Sequence, residues 1–248
     1  MVAGIASFIE KFRDYGDCYT IIGGTACDIL MTEADTEFRA TKDIDMILIL
    51  EARQRDFIKI FWEYVIEAGY KFGWKNSDTV HFYRFTEPKP GYPFMIELFS
   101  REPDYIKSTP TGIIPIHVDD DISSLSAILL DDEYYSFMLN GRRNVSGVSV
   151  LDAEHIIPFK MFAWLNLKDR KQNNEHVNER DLKKHKYDVF RLLQIIDRSI
   201  TVDAPGLVKE NIIRFIREIV LEDVPFEQLG LPFDMDTAIG LLKRLYDA

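Results

Sequence analysis

Asp43 and Asp45 stand two residues apart at the head of an apolar run, Met46 to Leu50. An earlier apolar run, Tyr19 to Ile22, ends on the paired glycines Gly23 and Gly24, with Thr25 behind them. Two aspartates spaced i, i+2 on a strand point to one face. There they could share a divalent cation held by oxygen ligands. Paired glycines let backbone approach an anion closely. The exposed N–H groups of the helix turn that follows attract phosphate. A phosphate cradle beside metal carboxylates is the equipment that nucleotidyl transfer needs.

Other residues around this core could take part. Thr25 and the backbone of Gly24 are expected to contact the β- and γ-phosphates, and a helix-start hydroxyl would serve equally as a cap. Arg39 and Lys42 lie just before the aspartate strand, where either could reach a triphosphate as a charge-assisted donor. Glu97 is a charge inside the apolar run Phe94 to Phe99. A buried strand rarely tolerates a lone carboxylate without a partner. Arg84 belongs to the run Val80 to Phe85, next to the Glu97 strand in sequence order, and could face the same cleft.

These residues require elements to hold them. The pattern predicts a helix near 2–14, a strand at 18–22, a helix at 24–33, a strand at 43–50 and a helix at 54–68. Strand-like runs follow at 71–74, 80–86, 94–99 and 113–118, with Pro88, Pro90, Gly91 and Pro93 making a turn. Residues 134–139 and 145–151 read as two strands joined by a polar turn at 140–144. From Ala153 the chain reads helical, with Asp152 as cap and Pro158 in a first turn. The helix that follows, to about Lys171, is apolar on nearly all sides and should be buried. Further helices are expected at 178–199, 206–221 and 235–247. The fold class is α+β: a mixed-sheet domain over 1–152 and a helical domain over 153–248.

The helical half carries a second candidate cluster. Lys160 lies inside the apolar helix, where an unpaired ammonium is unfavourable. Leu182, Val189, Leu193 and Ile196 form one stripe, with Asp181, His185 and Asp188 along its flank. Pairing of Lys160 with Asp181 or Asp188 has two readings: polar groups lining a cleft, or a structural bridge between helices. The basic runs Lys168–Lys171 and Lys183–Lys186 likewise read either as solvated helix ends or as phosphate contacts.

The glycine turn followed by Asp-x-Asp resembles the signature hG(G/S)…DhDh of the nucleotidyltransferase superfamily that includes DNA polymerase beta. Gly23, Gly24, Asp43 and Asp45 match it. The variant G-G-T-A with T-x-D-I-D resembles the AbiEii-type branch, associated with abortive-infection toxins. Ile157-Pro158-Phe159-Lys160 and the segment Arg180 to Val189 are similar to that branch's helical lysine followed by an acidic segment. The likeness runs from about Ile21 to Leu193. It departs in the longer gap between the motif halves, which implies a surface insertion over Glu33–Ala40.

The resemblance implies a nucleotidyltransferase-fold sheet domain and a Mg²⁺-dependent enzyme. It would move a nucleotidyl group from an NTP, ATP among them, to a hydroxyl and release pyrophosphate. Asp43, Asp45 and Glu97 would be catalytic and hold the metal, with Glu97 able to take the proton. Gly23, Gly24, Thr25, Lys42, Arg84, Lys160, Asp181 and Asp188 would bind the nucleotide. The acceptor would be RNA, such as a tRNA end, or a protein side chain, and a toxin-like role would bring an antitoxin partner. An antibiotic-type small-molecule nucleotidyltransferase and a non-catalytic nucleotide-binding regulatory module are the alternatives.

Bulk properties narrow the field. The chain has 248 residues, 46% hydrophobic and 29% charged, a globular profile with room for one large or two ordinary domains. The net charge of −11 argues against non-specific nucleic-acid binding over the whole surface. No apolar stretch approaches a membrane-spanning length. The N-terminus reads as an amphipathic helix, not a signal peptide. Cys18 and Cys27 lack metal-ligand spacing, and a reducing cytoplasm is the simplest setting for them. His81, His117, His155 and His176 have no partners at ligand spacing and read as structural.

Overall fold

A computed structural model describes residues 2–49, 54–72, 84–99 and 131–248. The chain divides into two compact units, Met1–Asp121 with Arg142–Leu151, and Ile122–Gly141 with Asp152–Ala248.

The first unit is α+β. α1 (Ile5–Phe12) buries Ile5, Phe8 and Phe12, the face that a three-to-four residue spacing creates. β1 (Tyr19–Ile22) runs directly into α2 (Gly23–Glu33), and residues 34–42 form no helix or strand before β2 (Asp43–Leu48). α3 (Gln54–Ala68) buries Phe57, Phe61, Tyr64, Val65 and Ala68 on one stripe. β3 (Lys71–Phe72), β4 (Arg84–Thr86), β5 (Met95–Phe99), β6 (Arg142–Val145) and β7 (Val148–Leu151) complete the strands among the described residues.

One mixed sheet has the order β3-β4-β5-β2-β1-β7-β6. β2 is central. It pairs antiparallel with β1 and parallel with β5, and its Ile44, Met46 and Ile47 are fully buried. An aromatic cluster from α1, β1 and α3 forms the core of this unit. Phe12 has ring centroids 5.2 Å from Tyr64 and 5.6 Å from Phe57, in the tilted and edge-on geometries that aromatic quadrupoles favour.

The second unit is helical: α4 (Asp132–Asn140), α5 (Ala153–Gln172), α6 (Glu179–Leu193), α7 (Gly206–Ile219) and α8 (Met235–Tyr246). Residues 134–139, expected as a strand, are part of α4. Tyr134, Tyr135, Phe137 and Met138 bury at helical spacing, and the Asp131 carboxylate caps the N–H groups of Glu133 and Tyr134. The cap and the 3.6-residue stripe outweigh the strand propensity of the aromatics. The turn expected at 140–144 lies instead at Ser146 and Gly147, between β6 and β7. Both have positive φ, 52° and 92°, the two-residue hairpin turn whose twist suits paired strands.

Asp152 caps α5 as expected, accepting from the His155 N–H. Pro158 is not in the first turn but six residues into the helix. Proline has no N–H to donate to the carbonyl four residues back. That carbonyl belongs to Glu154, and the Tyr246 hydroxyl donates to it at 2.6 Å. A side chain from α8 thus replaces the missing backbone donor, and α5 continues to Gln172. The expected strand at 113–118, with His81 and His117, lies outside the described residues, as do residues 80–83 of the expected strand at 80–86.

Candidate functional site

Gly23 begins α2 with φ 69°, a conformation glycine adopts without strain. A Cβ there would lie 2.1 Å from Oδ2 of Asp45. The missing side chain is therefore the space in which the Asp45 carboxylate sits, against the first turn of α2. The residue ahead of the helix, Ile22, supplies no side-chain cap to that turn. The position combines the positive end of a helix dipole with a carboxylate.

Thr25 is fully buried and its hydroxyl donates to the Asp43 carbonyl. It ties α2 to the head of β2; that hydroxyl is engaged with backbone instead of facing solvent. At Gly24, an added Cβ would lie 2.7 Å from Oγ1 of Thr41 and 3.5 Å from Nη2 of Arg39. Residues 34–42 thus return a hydroxyl and a guanidinium to the glycine turn. Thr41 was not among the residues singled out from the sequence, although it opens the T-x-D-I-D spacing. Lys42 is exposed, with its ammonium 5.8 Å from the Phe94 ring centroid. Its cationic head lies over an aromatic face, an arrangement of modest energy.

Cross-strand register aligns the remaining charges. Asp45 of β2 is opposite Glu97 of β5, and Glu97 is opposite Arg84 of β4. Opposed residues share a sheet face, so Asp45, Glu97 and Arg84 form a transverse row, with Asp43 two residues away on the same face. Glu97 is 8% exposed. Its Oε1 accepts from the Arg84 Nε–H at 2.5 Å. Among the described residues no three His, Cys, Asp or Glu side chains gather where they could hold a metal ion. The donor chemistry suits a hard cation at Asp43 and Asp45, both carboxylates and both half-buried. Glu97, as placed, is bound to a cation of the protein's own.

The other expected site residues belong to the helical unit. Lys160 and Asp188 are 2% and 0% exposed, and Nζ lies 3.0 Å from Oδ2. Arg191 reaches the other Asp188 oxygen at 3.4 Å. The pair joins α5 to α6, as its burial requires. Asp181, two turns earlier on α6, is half-buried and not part of it. The basic runs are largely ion-paired. Lys168 meets Glu218 and Glu222, Arg170 meets Glu175, Lys171 meets Glu179, and Lys186 meets Glu222. Burial pushes the Glu218 and Glu222 carboxyls up, but hydrogen bonds from Arg214, Lys168 and Lys186 outweigh it and hold both below their ordinary value.

No family model and no curated protein matches this chain. No helix among the described residues is long and apolar enough to cross a membrane.

Proposed function

We propose that the chain is a Mg²⁺-dependent nucleotidyltransferase that moves a nucleotidyl group from an NTP to a hydroxyl acceptor. The observation that carries the reading is the Asp45 carboxylate seated in the space above Gly23, at the first turn of α2. A phosphate-attracting helix end and an acidic metal ligand are adjacent there. Asp43 and Asp45 would hold the cation, which when bound would neutralise triphosphate charge. The first N–H groups of α2 and the Arg39 guanidinium would orient the phosphates. The acceptor oxygen bonds to the α-phosphorus, the bond to the β-phosphate oxygen breaks, and pyrophosphate leaves. A carboxylate on the same sheet face takes the hydroxyl proton.

An RNA end, a protein side chain or a small molecule could supply that hydroxyl, and an antitoxin partner would accompany a toxin-like role. The paired basic runs favour a short acceptor over a long nucleic-acid track. A non-catalytic nucleotide-binding module is the second reading, favoured by the engagement of Glu97 with Arg84.

The test is transfer of label from each α-labelled NTP, with Mg²⁺, to tRNA, protein and the chain itself. Asp45→Asn should lower transfer at least about a hundredfold, since a metal ligand accounts for several kcal/mol of transition-state stabilisation. Near wild-type transfer in Asp45→Asn would overturn the assignment of the metal strand. Nucleotide binding with no transfer to any acceptor would favour the non-catalytic reading.

A further inference from the structure

Glu97 stands between two neighbours of opposite charge, Asp45 on β2 and Arg84 on β4. Side chains directly opposed on neighbouring strands lie within reach of each other. A carboxylate 8% exposed needs a cationic partner, and Arg84 supplies it at 2.5 Å. The Arg84 side chain is 33% exposed, so the pair is open to solvent on the arginine side. The same carboxylate lies beside the strand that carries Asp43 and Asp45. One buried carboxylate therefore lies between the guanidinium on one strand and the pair of aspartates that would hold a cation on the other.

We infer that Arg84 and Glu97 are a partner-exchange latch on the nucleotide site, an inference that rests on the nucleotidyltransferase reading. In the state seen in the structure, Arg84 holds the Glu97 carboxylate. In the second state, Arg84 passes its guanidinium to a phosphate oxygen, and Glu97 turns its carboxylate toward the cation at Asp45. Positive charge arriving at Asp43 and Asp45 repels the guanidinium and attracts the carboxylate. Triphosphate arriving at α2 attracts the guanidinium. Both ligands drive the exchange in one direction, so each strengthens binding of the other by reciprocal coupling. The third carboxylate is then most available when cation and nucleotide are both present.

Titration calorimetry on the full chain tests the latch with two separate probes, Mg²⁺ alone and inorganic tripolyphosphate alone. Arg84→Gln should bind Mg²⁺ about tenfold tighter and tripolyphosphate about tenfold weaker, the size of one charge-assisted hydrogen bond. Glu97→Gln should do the opposite with both probes. Arg84→Lys keeps the charge with a gentler change of shape and should fall between wild type and Arg84→Gln. Unchanged or weaker Mg²⁺ binding in Arg84→Gln, or unchanged tripolyphosphate binding in Glu97→Gln, would show a fixed structural pair and overturn the latch. Asp45→Asn separates the two ideas. If it leaves Mg²⁺ affinity intact, or if the wild-type chain binds neither probe, the nucleotidyltransferase site itself falls. If it removes Mg²⁺ binding while the Arg84 and Glu97 variants fail to move in opposite directions, only the latch falls.

Discussion

The sheet unit and the helical unit each place acids and a base inside apolar elements, with opposite results. In the helical unit, Lys160 and Asp188 are shut away from water and satisfy each other, with Arg191 assisting. In the sheet unit, Asp43, Asp45 and Arg84 stay half-buried around Glu97, beside a glycine turn that leaves room at the carboxylate. A buried pair exists only as long as both partners stay; a half-buried row can change partners. The first arrangement holds helices together, and the second is suited to binding something that comes and goes.

The largest expected effect breaks the buried pair. Asp188→Ala strands the Lys160 ammonium and should destabilise the helical unit by roughly 3–5 kcal/mol, read by denaturant unfolding. The double change Lys160→Met with Asp188→Leu removes both charges and should recover most of that loss. A small effect of Asp188→Ala would mean that the pair is far more hydrated than its burial implies, and the contrast between the units would fail.

Gly23→Ala tests the sheet side. It forces a side chain at φ 69° into the Asp45 carboxylate. A loss of about 1–3 kcal/mol is expected from backbone strain alone. Mg²⁺ affinity should fall with it, because Asp45 must move. Normal Mg²⁺ binding in a destabilised Gly23→Ala protein would separate the turn from the metal strand.

Tyr246→Phe sharpens the helical side. It takes from the half-buried Glu154 carbonyl, already without a proline donor, the hydroxyl that bonds to it. A loss of roughly 1–2 kcal/mol should follow, with α5 fraying before Pro158 in hydrogen exchange. Unchanged protection in that turn would mean that water replaces the hydroxyl at no cost.

The smallest effect is one of pH. Glu218 and Glu222 have carboxyls held below their ordinary value of 4.5. Their contribution is present in full above that value and is lost as pH falls through the lowered one. Helical circular dichroism in moderate denaturant should therefore show falling stability as pH drops below 4.5. Rising stability over that range would contradict the pairing of Glu218 and Glu222 with Lys168 and Lys186.

Local pattern was enough for much of this molecule. Apolar spacing marked α1, α3 and α6, because burial of one face repeats with the helix period, while α5 was marked by being apolar on nearly all sides. The alternation of Asp43 and Asp45 puts both on one strand face, since side chains alternate along a strand whatever surrounds it. The isolation of Lys160 in an apolar helix required an acid, and Asp181 and Asp188 were the candidates on the flank of the next helix. Only the fold chose Asp188, because that choice depends on how α5 and α6 pack. Strand order and register decided that Glu97 lies between Asp45 and Arg84, residues that belong to three different strands. The return of Thr41 to Gly24, and of Tyr246 to the carbonyl left bare by Pro158, are likewise long-range approaches with no periodic signal. Sequence sets what each residue can do within a few neighbours; tertiary packing sets which distant partner it meets.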